Sequence, residues 1–556
     1  LVVVAVVALA MTVVQGVWIW NHRLLGALDP DESGYIATAF QYHRIVMSDP
    51  LALPRAIGGT GTGPLIPLLS VPLLWFGPND PRTVLLVQPI LMGVTAIATA
   101  GIARRLAGSG AALVSGVVFL TLPTVVFASQ TYWLGLGAAC FMALGIWALV
   151  ASERLTNRWA YAFGACTGAM LLCRTMTLGF LPAMVVAGAI AAGRDKRSLI
   201  GLAKALAVAF VVAFPWWFAA RHAIFDYLFS YGYGKRAGLF GDGGPRQRFF
   251  KRIDAVELGV GATWVWARIV LAASAAATAW RWWRTSRFRG RPPWPTEARA
   301  ALAIGAAVVL GLAALTSTSN NGVWFELPII ALLVPLVVAG GARAPWPVQG
   351  LALVPVAGLA ALQLGCSLWL IAPGPEGLPG INTVHRVAQY EYGFEQYDVR
   401  FGPMQRTHLR QAAKEWWALD RTVERELRRL APDGLTVFTF SGNFEMFNSN
   451  TVQLAAELRN WTPRLWIPDT VGERADRARY LTPDAYDDDG NAVTGSDGKP
   501  IERVLVIARH DLHLFTPDEE VADLDREAVA AGWRVVWRTP IPVGGEVVVM
   551  RHPDGP

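Results

Sequence analysis

Apolar runs of about 20 residues recur through two thirds of this chain, and no other feature limits its fold as strongly. Leu1–Trp20 and Val348–Ile371 are the plainest. A helix needs roughly 20 mostly apolar residues to cross a bilayer core. Lipid offers no partner to unpaired backbone, so such runs must be helical. Helices are therefore expected at 1–20, 83–102, 110–127, 132–151, 159–174, 176–192, 199–220, 256–280, 299–317, 324–340 and 347–371. Composition agrees, with 16% charged residues where soluble domains carry about 25%. Trp18, Trp20, Trp133, Trp159, Trp216, Trp217 and Trp369 fall near the ends of these runs, as interfacial belts do. The expected fold is a polytopic α-helical membrane protein of about 11 spans.

Charge placement gives the topology. Pro64–Phe76 is apolar but short, and it carries Pro64, Pro67 and Pro72. If it does not cross, Arg104–Arg105, Arg154/Arg158, Arg194/Lys196/Arg197, Arg281–Arg291 and Arg343 all lie on one side. That is the positive-inside pattern, so Pro64–Phe76 reads as an interfacial or re-entrant piece. The amino end is then cytoplasmic. The first outer loop (21–82), a middle outer loop (221–255), the short Thr316–Val323 and the C-terminal region 372–556 lie outside. Most of the +7 net charge is topology signal, and nucleic acid is not an expected partner. Leu1 in place of Met predicts a lost cytoplasmic leader. No small-residue cleavage site follows Trp20, so the first run reads as a retained helix.

Composition changes after Pro373, dividing the chain into a membrane module (1–371) and an extracytoplasmic α/β domain (372–556). Residues 385–430 look helical. LTVFTF, RVLVIAR, WRVVWRT and EVVVMRH read as strands, with TVQLAAELRN and EVADLDREAVAAG as helices between them. Residues 487–500 read as a turn-rich loop. Cys140, Cys166, Cys173 and Cys366 all fall in expected spans, which leaves the C-terminal region no disulfide or cysteine metal site.

Two constellations stand out. Asp29, Asp31 and Glu32 cluster directly after the first span. Asp29-Pro30-Asp31-Glu32 is a good helix start, with Asp29 as N-cap, Pro30 at the first position and Glu32 closing a capping box. Capping does not require Asp31, although a first-turn acid suits the helix dipole. Capping and catalysis both remain open on residue chemistry alone. Tyr35 would lie one turn after Asp31, and GGTGTG (58–63) would let backbone approach closely.

The second constellation is Asp226–Asp254, which carries Lys235, Arg236, Arg246, Arg248, Lys251 and Arg252 on the side where positive charge is disfavoured. An anionic partner accounts for such a cluster, as Arg suits phosphate through bidentate contacts. A loop resting on anionic headgroups accounts for it too. Arg174, Arg221 and His222 end spans on the outer side, where snorkelling is the plain alternative. Asn320 and Glu326 lie beside a late span start.

Asp31-Glu32-x-x-Tyr35-Ile36-Ala37, then Pro54 through Gly63-Pro64-Leu65, resembles the first loop of GT-C polyprenyl-phosphate-sugar-dependent glycosyltransferases. The nearest likeness is to the protein O-mannosyltransferase and lipid A aminoarabinose transferase relatives. Phe214-Pro215-Trp216 and Phe325-Glu326-Leu327-Pro328 add to it. One element departs: Thr62-Gly63-Pro64-Leu65 stands where the aminoarabinose transferase relatives carry Lys-Pro-Pro-Leu, so phosphate recognition moves to Arg55 or to Lys235/Arg236.

The resemblance implies inverting transfer of a sugar from a polyprenyl-phosphate donor to an envelope glycan, lipid or protein, at the outer face of a bacterial inner membrane. Asp31 would be the general base, with Glu32 and Tyr35 positioning it or the acceptor. Arg55, Arg174, Arg221, His222, Lys235, Arg236 and Asn320 are the expected substrate-binding set. No metal ligand is assigned, and the resemblance allows a divalent cation at the acidic site without requiring one. A transporter or lipid flippase would place ionisable residues mid-span. An envelope scaffold with a carbohydrate-binding domain would need no Asp31.

Overall fold

The computed structural model describes residues 1–23, 28, 30–233, 244–261, 268, 296–318, 325–342, 346–368, 370, 403–431, 436–441, 447–461, 463–466, 481, 501–509, 518–542 and 544–554. Its helices, in chain order, are α1 (Val2–His22), α2 (Pro30–Ser48), α3 (Leu53–Gly58), α4 (Leu65–Phe76), α5 (Pro81–Leu85), α6 (Val87–Thr121), α7 (Pro123–Gln130) and α8 (Gly135–Ala151). There follow α9 (Trp159–Cys173), α10 (Leu181–Ala192), α11 (Lys196–Ala219), α12 (Arg221–Tyr227), α13 (Pro245–Val260), α14 (Thr296–Ser317), α15 (Leu327–Gly341) and α16 (Trp346–Ser367). In the C-terminal region come α17 (Pro403–Leu430), β1 (Val437–Ser441), α18 (Ser449–Glu457), β2 (Arg464–Trp466), β3 (Arg503–Arg509), α19 (Asp518–Ala530), β4 (Arg534–Pro540) and β5 (Glu546–Arg551).

The chain divides into two compact units. The first holds Leu1–Asn21, Asp49–Phe76 and Val84–Gly402; the second holds His22–Ser48, Gly77–Thr83 and Pro403–Pro556. Helix α2, which follows the first apolar helix in sequence, is thus grouped with the C-terminal region.

The first unit is a helical bundle. Among the described residues, five helices are long and apolar enough to cross a membrane. Helix α6 runs for 35 residues, about 52 Å if it were straight, which no bilayer core requires. It does not run straight. Gly108 has φ +88°, a conformation that only glycine adopts freely, and the chain turns there. The Ser115 hydroxyl donates to the Thr99 carbonyl at 3.4 Å, and a Cβ on Gly116 would sit 3.4 Å from the Ala100 Cβ. The expected runs 83–102 and 110–127 are therefore two arms folded back on each other. Beyond Thr121, Leu122 is extended, α7 begins at Pro123, and α7 and α8 meet at 120°. The expected helix 110–127 is thus broken at Leu122, where the following proline disfavours helical backbone.

Helix α4 has 12 residues, about 18 Å of rise, too short to span alone. It sits within the bundle: Ser70 Oγ and Tyr132 Oη lie 2.6 Å apart, and Ile66 Cδ1 would meet a Cβ on Gly137 at 2.2 Å. The expected helix 256–280 is described only to 261 and at 268; the rest lies outside the described residues, as does the expected loop 487–500. The bundle core brings Phe163, Met170, Phe180 and Met184 against Ile304, Leu315 and Ile329.

The second unit contains a five-stranded sheet of order β2-β1-β3-β5-β4. β1 pairs in parallel with both β2 and β3, while β5 pairs antiparallel with β3 and β4. Within RVLVIAR the run VLVIA is apolar without a break, as a strand buried on both faces requires, and β3 is buried from Arg503 to Ala508. β4 alternates exposed and half-buried residues at the sheet edge. The chain passes from β1 through α18 to β2, then crosses to β3 on the other side of β1. Open α/β sheets bind ligands at such crossings.

Candidate active site

Helix α2 begins at Pro30, the first-position proline its sequence predicts. Asp29, the expected N-cap, lies outside the described residues. The two acids of the first turn face different surroundings. Asp31 is exposed, whereas Glu32 is 1% exposed and paired with the guanidinium of Arg23, itself buried at the end of the preceding helix. A buried carboxylate is tolerable when it is paired and hydrogen-bonded. Glu32 is thereby anchored and Asp31 is left at the helix start. Tyr35, one turn on, is buried. Its α2 neighbours Ile36, Ala37, Ala39 and Phe40 are buried too. His43, further along α2, is held below its usual pKa by partial burial.

The bundle unit carries a cationic centre. Arg174 ends α9 with extended backbone and is buried. Its guanidinium lies 4.3 Å from the centre of the Phe325 ring and 6.0 Å from that of Trp133, within cation–π range. Arg252 also lies near Phe325, 5.6 Å from the ring centre, and its Nη1 donates to Glu326 Oε1 at 2.6 Å. Two guanidinium groups thus share one ring, and one of them is neutralised by the next residue in sequence.

The glycine segment is built into this centre. A Cβ on Gly63 would stand 2.1 Å from the Cys173 carbonyl oxygen, so only glycine fits. Thr175, directly after Arg174, donates its hydroxyl to the Gly61 carbonyl. Trp216 Nε1 donates to the Thr60 carbonyl at 3.2 Å. The close backbone approach expected of GGTGTG occurs here, against the residues flanking Arg174.

The remaining expected site residues scatter. Arg55 is exposed on α3. Arg221 and His222 are exposed at the start of α12, with Arg221 donating to the Phe218 carbonyl at 2.9 Å and lying 4.9 Å from that ring's centre. Lys235, Arg236 and Asn320 lie outside the described residues. The sequence reading overlooked Arg23, although it lies nine positions before Glu32 at the foot of an apolar helix, where a lone cation invites a partner. The Arg252–Glu326 pair, 74 positions apart, carried no such local signal.

The polytopic bundle and the C-terminal α/β unit give this chain a fold similar to that of solved GT-C membrane glycosyltransferases. The chain is a multi-pass membrane protein of that architecture. It superposes on ArnT from Cupriavidus metallidurans bound to undecaprenyl phosphate with a TM-score of 0.54 at 15% identity, covering 100% of this chain and 99% of that one. The Archaeoglobus fulgidus oligosaccharyltransferase AglB, in complex with an inhibitory peptide and a dolichol-phosphate, matches at 0.51 and 12% identity, over 99% and 75% of the two chains. The same oligosaccharyltransferase with Zn and sulfate matches at 0.50 and 14%, over 100% and 74%. No protein-family model matches the sequence, and no curated protein does.

Proposed function

We propose that this protein is an inverting glycosyltransferase that takes sugar from a polyprenyl-phosphate donor and passes it to a cell-envelope glycan, lipid or protein. The observation that carries this reading is the division of labour at the start of α2: Glu32 is tied to Arg23, and Asp31 beside it is exposed. The likeness to folds solved with undecaprenyl phosphate and dolichol-phosphate supports a lipid-phosphate donor. About 11 spans, a cytoplasmic amino end and an extracytoplasmic C-terminal region in the bacterial inner membrane complete the reading, supported by the positive-inside pattern. So does the division into a membrane module (1–371) and an acceptor-recognising α/β domain (372–556).

In this mechanism Asp31 accepts the proton of the acceptor hydroxyl as its oxygen attacks the anomeric carbon. The bond from that carbon to the phosphate oxygen breaks, the polyprenyl phosphate leaves with the electron pair, and the anomeric configuration inverts. Charge grows on the phosphate, and cationic side chains stabilise it; Arg174 is the buried candidate, with Arg55, Arg221, His222, Lys235, Arg236 and Asn320 as further contacts. Tyr35 orients the base or the acceptor. A divalent cation at the acidic site would have to draw oxygen ligands from residues other than Glu32, which is committed to Arg23.

The test is transfer of labelled sugar from a panel of synthetic short-chain polyprenyl-phosphate donors, comparing wild type with folded Asp31→Asn. Transfer by wild type that vanishes in the variant supports the assignment. Equal transfer by both removes Asp31 from the mechanism.

A further inference from the structure

We infer that helix α18 is the seat of the acid-bearing helix, which makes Asn450 and Glu457 positioning residues for Asp31; the inference rests on the reading of Asp31 as the base. Both helices belong to the second unit. They touch near both ends of α18. At one end a Cβ on Gly34 would lie 3.2 Å from Asn450 Nδ2 and 3.3 Å from its Cγ, so the α2 backbone rests on that amide. At the other, Arg44 Nη2 lies 2.8 Å from Glu457 Oε2, a carboxylate whose side chain is wholly buried. From Gly34 to Arg44 and from Asn450 to Glu457 the chain runs the same way. The helices therefore lie side by side and parallel, pinned at two points.

The seat is itself fixed. Asn448 caps α18, its Oδ1 accepting from the Asn450 and Thr451 amides, and Thr451 Oγ1 accepts from the Asn448 amide at 3.0 Å. The Thr451 hydroxyl also donates to Asp420 Oδ1 at 2.7 Å, joining the cap to a buried carboxyl on α17. α18 connects β1 to β2, so its direction is set by the sheet. The loop before α5 adds a third tie, with Asn79 Nδ2 donating to the Leu458 carbonyl at 3.3 Å. Gly34 lies three residues after Asp31, so a shift of Asn450 tilts the first turn of α2 and moves the carboxylate. The C-terminal sheet thus acts on transfer by holding the base in place, apart from any contact it makes with the acceptor.

Two sets of variants in the full chain test this. Gly34→Ala makes the Asn450 amide or the α2 backbone give by a few tenths of an ångström and should lower kcat about threefold, since displacements near 1 Å cost up to about a hundredfold. Donor KM should stay within twofold, and adding Asn450→Ala should restore most of the rate. Glu457→Gln should lower kcat similarly, and Arg44→Gln added to it should cost little more, because the two share one contact. The amides of residues 30–48 should exchange faster in Glu457→Gln. Unchanged kcat in Gly34→Ala, beside an inactive Asp31→Asn, would overturn the seat and leave the base standing. Should wild type show no transfer, the glycosyltransferase reading fails by itself and exchange alone decides the seat: faster exchange upholds it, unchanged exchange rejects it.

Discussion

Among the described residues, each unit of this protein holds an Arg–Glu pair with both side chains buried, and the two pairs serve different neighbours. Arg23–Glu32 has both side chains 1% exposed; in Arg252–Glu326 the exposures are 2% and 9%. In both, the glutamate is the anchor and the residue before it in sequence is the one presented. Glu32 fixes the helix turn from which Asp31 reaches solvent. Glu326 fixes the position of Phe325, whose ring takes the Arg174 and Arg252 guanidinium groups. One anchor therefore presents a carboxylate able to accept a proton, and the other presents a π face that holds cations. A buried pair is poor evidence of stability in itself, because desolvation offsets most of the attraction. Here each pair is better understood by what stands next to it.

The largest expected effect breaks the first half of that comparison. Asp31→Asn should lower sugar transfer by about a hundredfold to ten-thousandfold, the usual worth of a positioned base, with donor affinity retained. Glu32→Gln should instead act through the helix: it leaves Arg23 buried opposite a neutral amide, loosening α2. If Glu32→Gln abolished transfer and Asp31→Asn did not, anchor and base would have to exchange roles.

The second half is probed by cutting the longer pair. Arg252→Met leaves Glu326 as a buried carboxylate without that partner and should cost about 3–5 kcal/mol. Arg252→Met with Glu326→Leu should recover most of it, since the charges leave together. The measurement is the thermal midpoint of the detergent-solubilised protein at one scan rate, because unfolding of such proteins is seldom reversible. A double variant as unstable as the single one would show that Glu326 has another essential partner.

A smaller effect separates charge from shape. Arg174→Lys keeps the cation but loses the planar group that lies over Phe325. Cation–π contacts are worth about 0.5–2 kcal/mol, so affinity for a short-chain polyprenyl phosphate should fall about twofold to thirtyfold. Titration of Arg174→Lys against Arg174→Met decides whether charge alone suffices.

How much of this could be read from the chain depended on sequence distance. Apolar length located α1, α8, α9, α11, α14 and α16 within a few residues, because lipid imposes one dimension on every span. The arms of α6 were expected as separate runs, and Gly108 supplies the turn between them. The break at Leu122 was overlooked because apolar residues continue through Pro123 without a pause, although the proline itself was a signal. RLW is too short to read as a strand; it becomes β2 only by pairing with Val437–Thr439. The start of α2 at Pro30 is local capping chemistry and was legible. The grouping of α2 with the C-terminal region was not, since it rests on contacts such as Gly34 with Asn450 and Arg44 with Glu457, separated by more than four hundred positions. Arg252 and Glu326 were both noticed singly, but periodicity cannot pair residues from different helices.

The smallest effect concerns the acid beneath the seat. Burial pushes the Asp420 carboxyl well above the usual carboxylate range, and the hydrogen bond from Thr451 offsets this only in part. Glu424, one turn on, is raised by the same cause, against Arg428, Arg459 and Arg425. An acid whose folded pKa exceeds its unfolded value keeps its proton longer when folded. Its contribution is therefore fully present below the unfolded value, about 3.9, and is lost as pH climbs from there through the folded value. Asp420→Asn cannot ionise, and its side-chain oxygen still accepts from Thr451. The variant should match wild type at acid pH and be the more stable of the two near pH 8, where the wild-type penalty is largest. Exchange protection of residues 449–457 across that range measures the difference, with Glu424 leaving a residual slope in both proteins. Parallel loss of protection in the two would show that Asp420 is already ionised in the fold, and the carboxylate would then count as a charged clamp on the Asn448 cap.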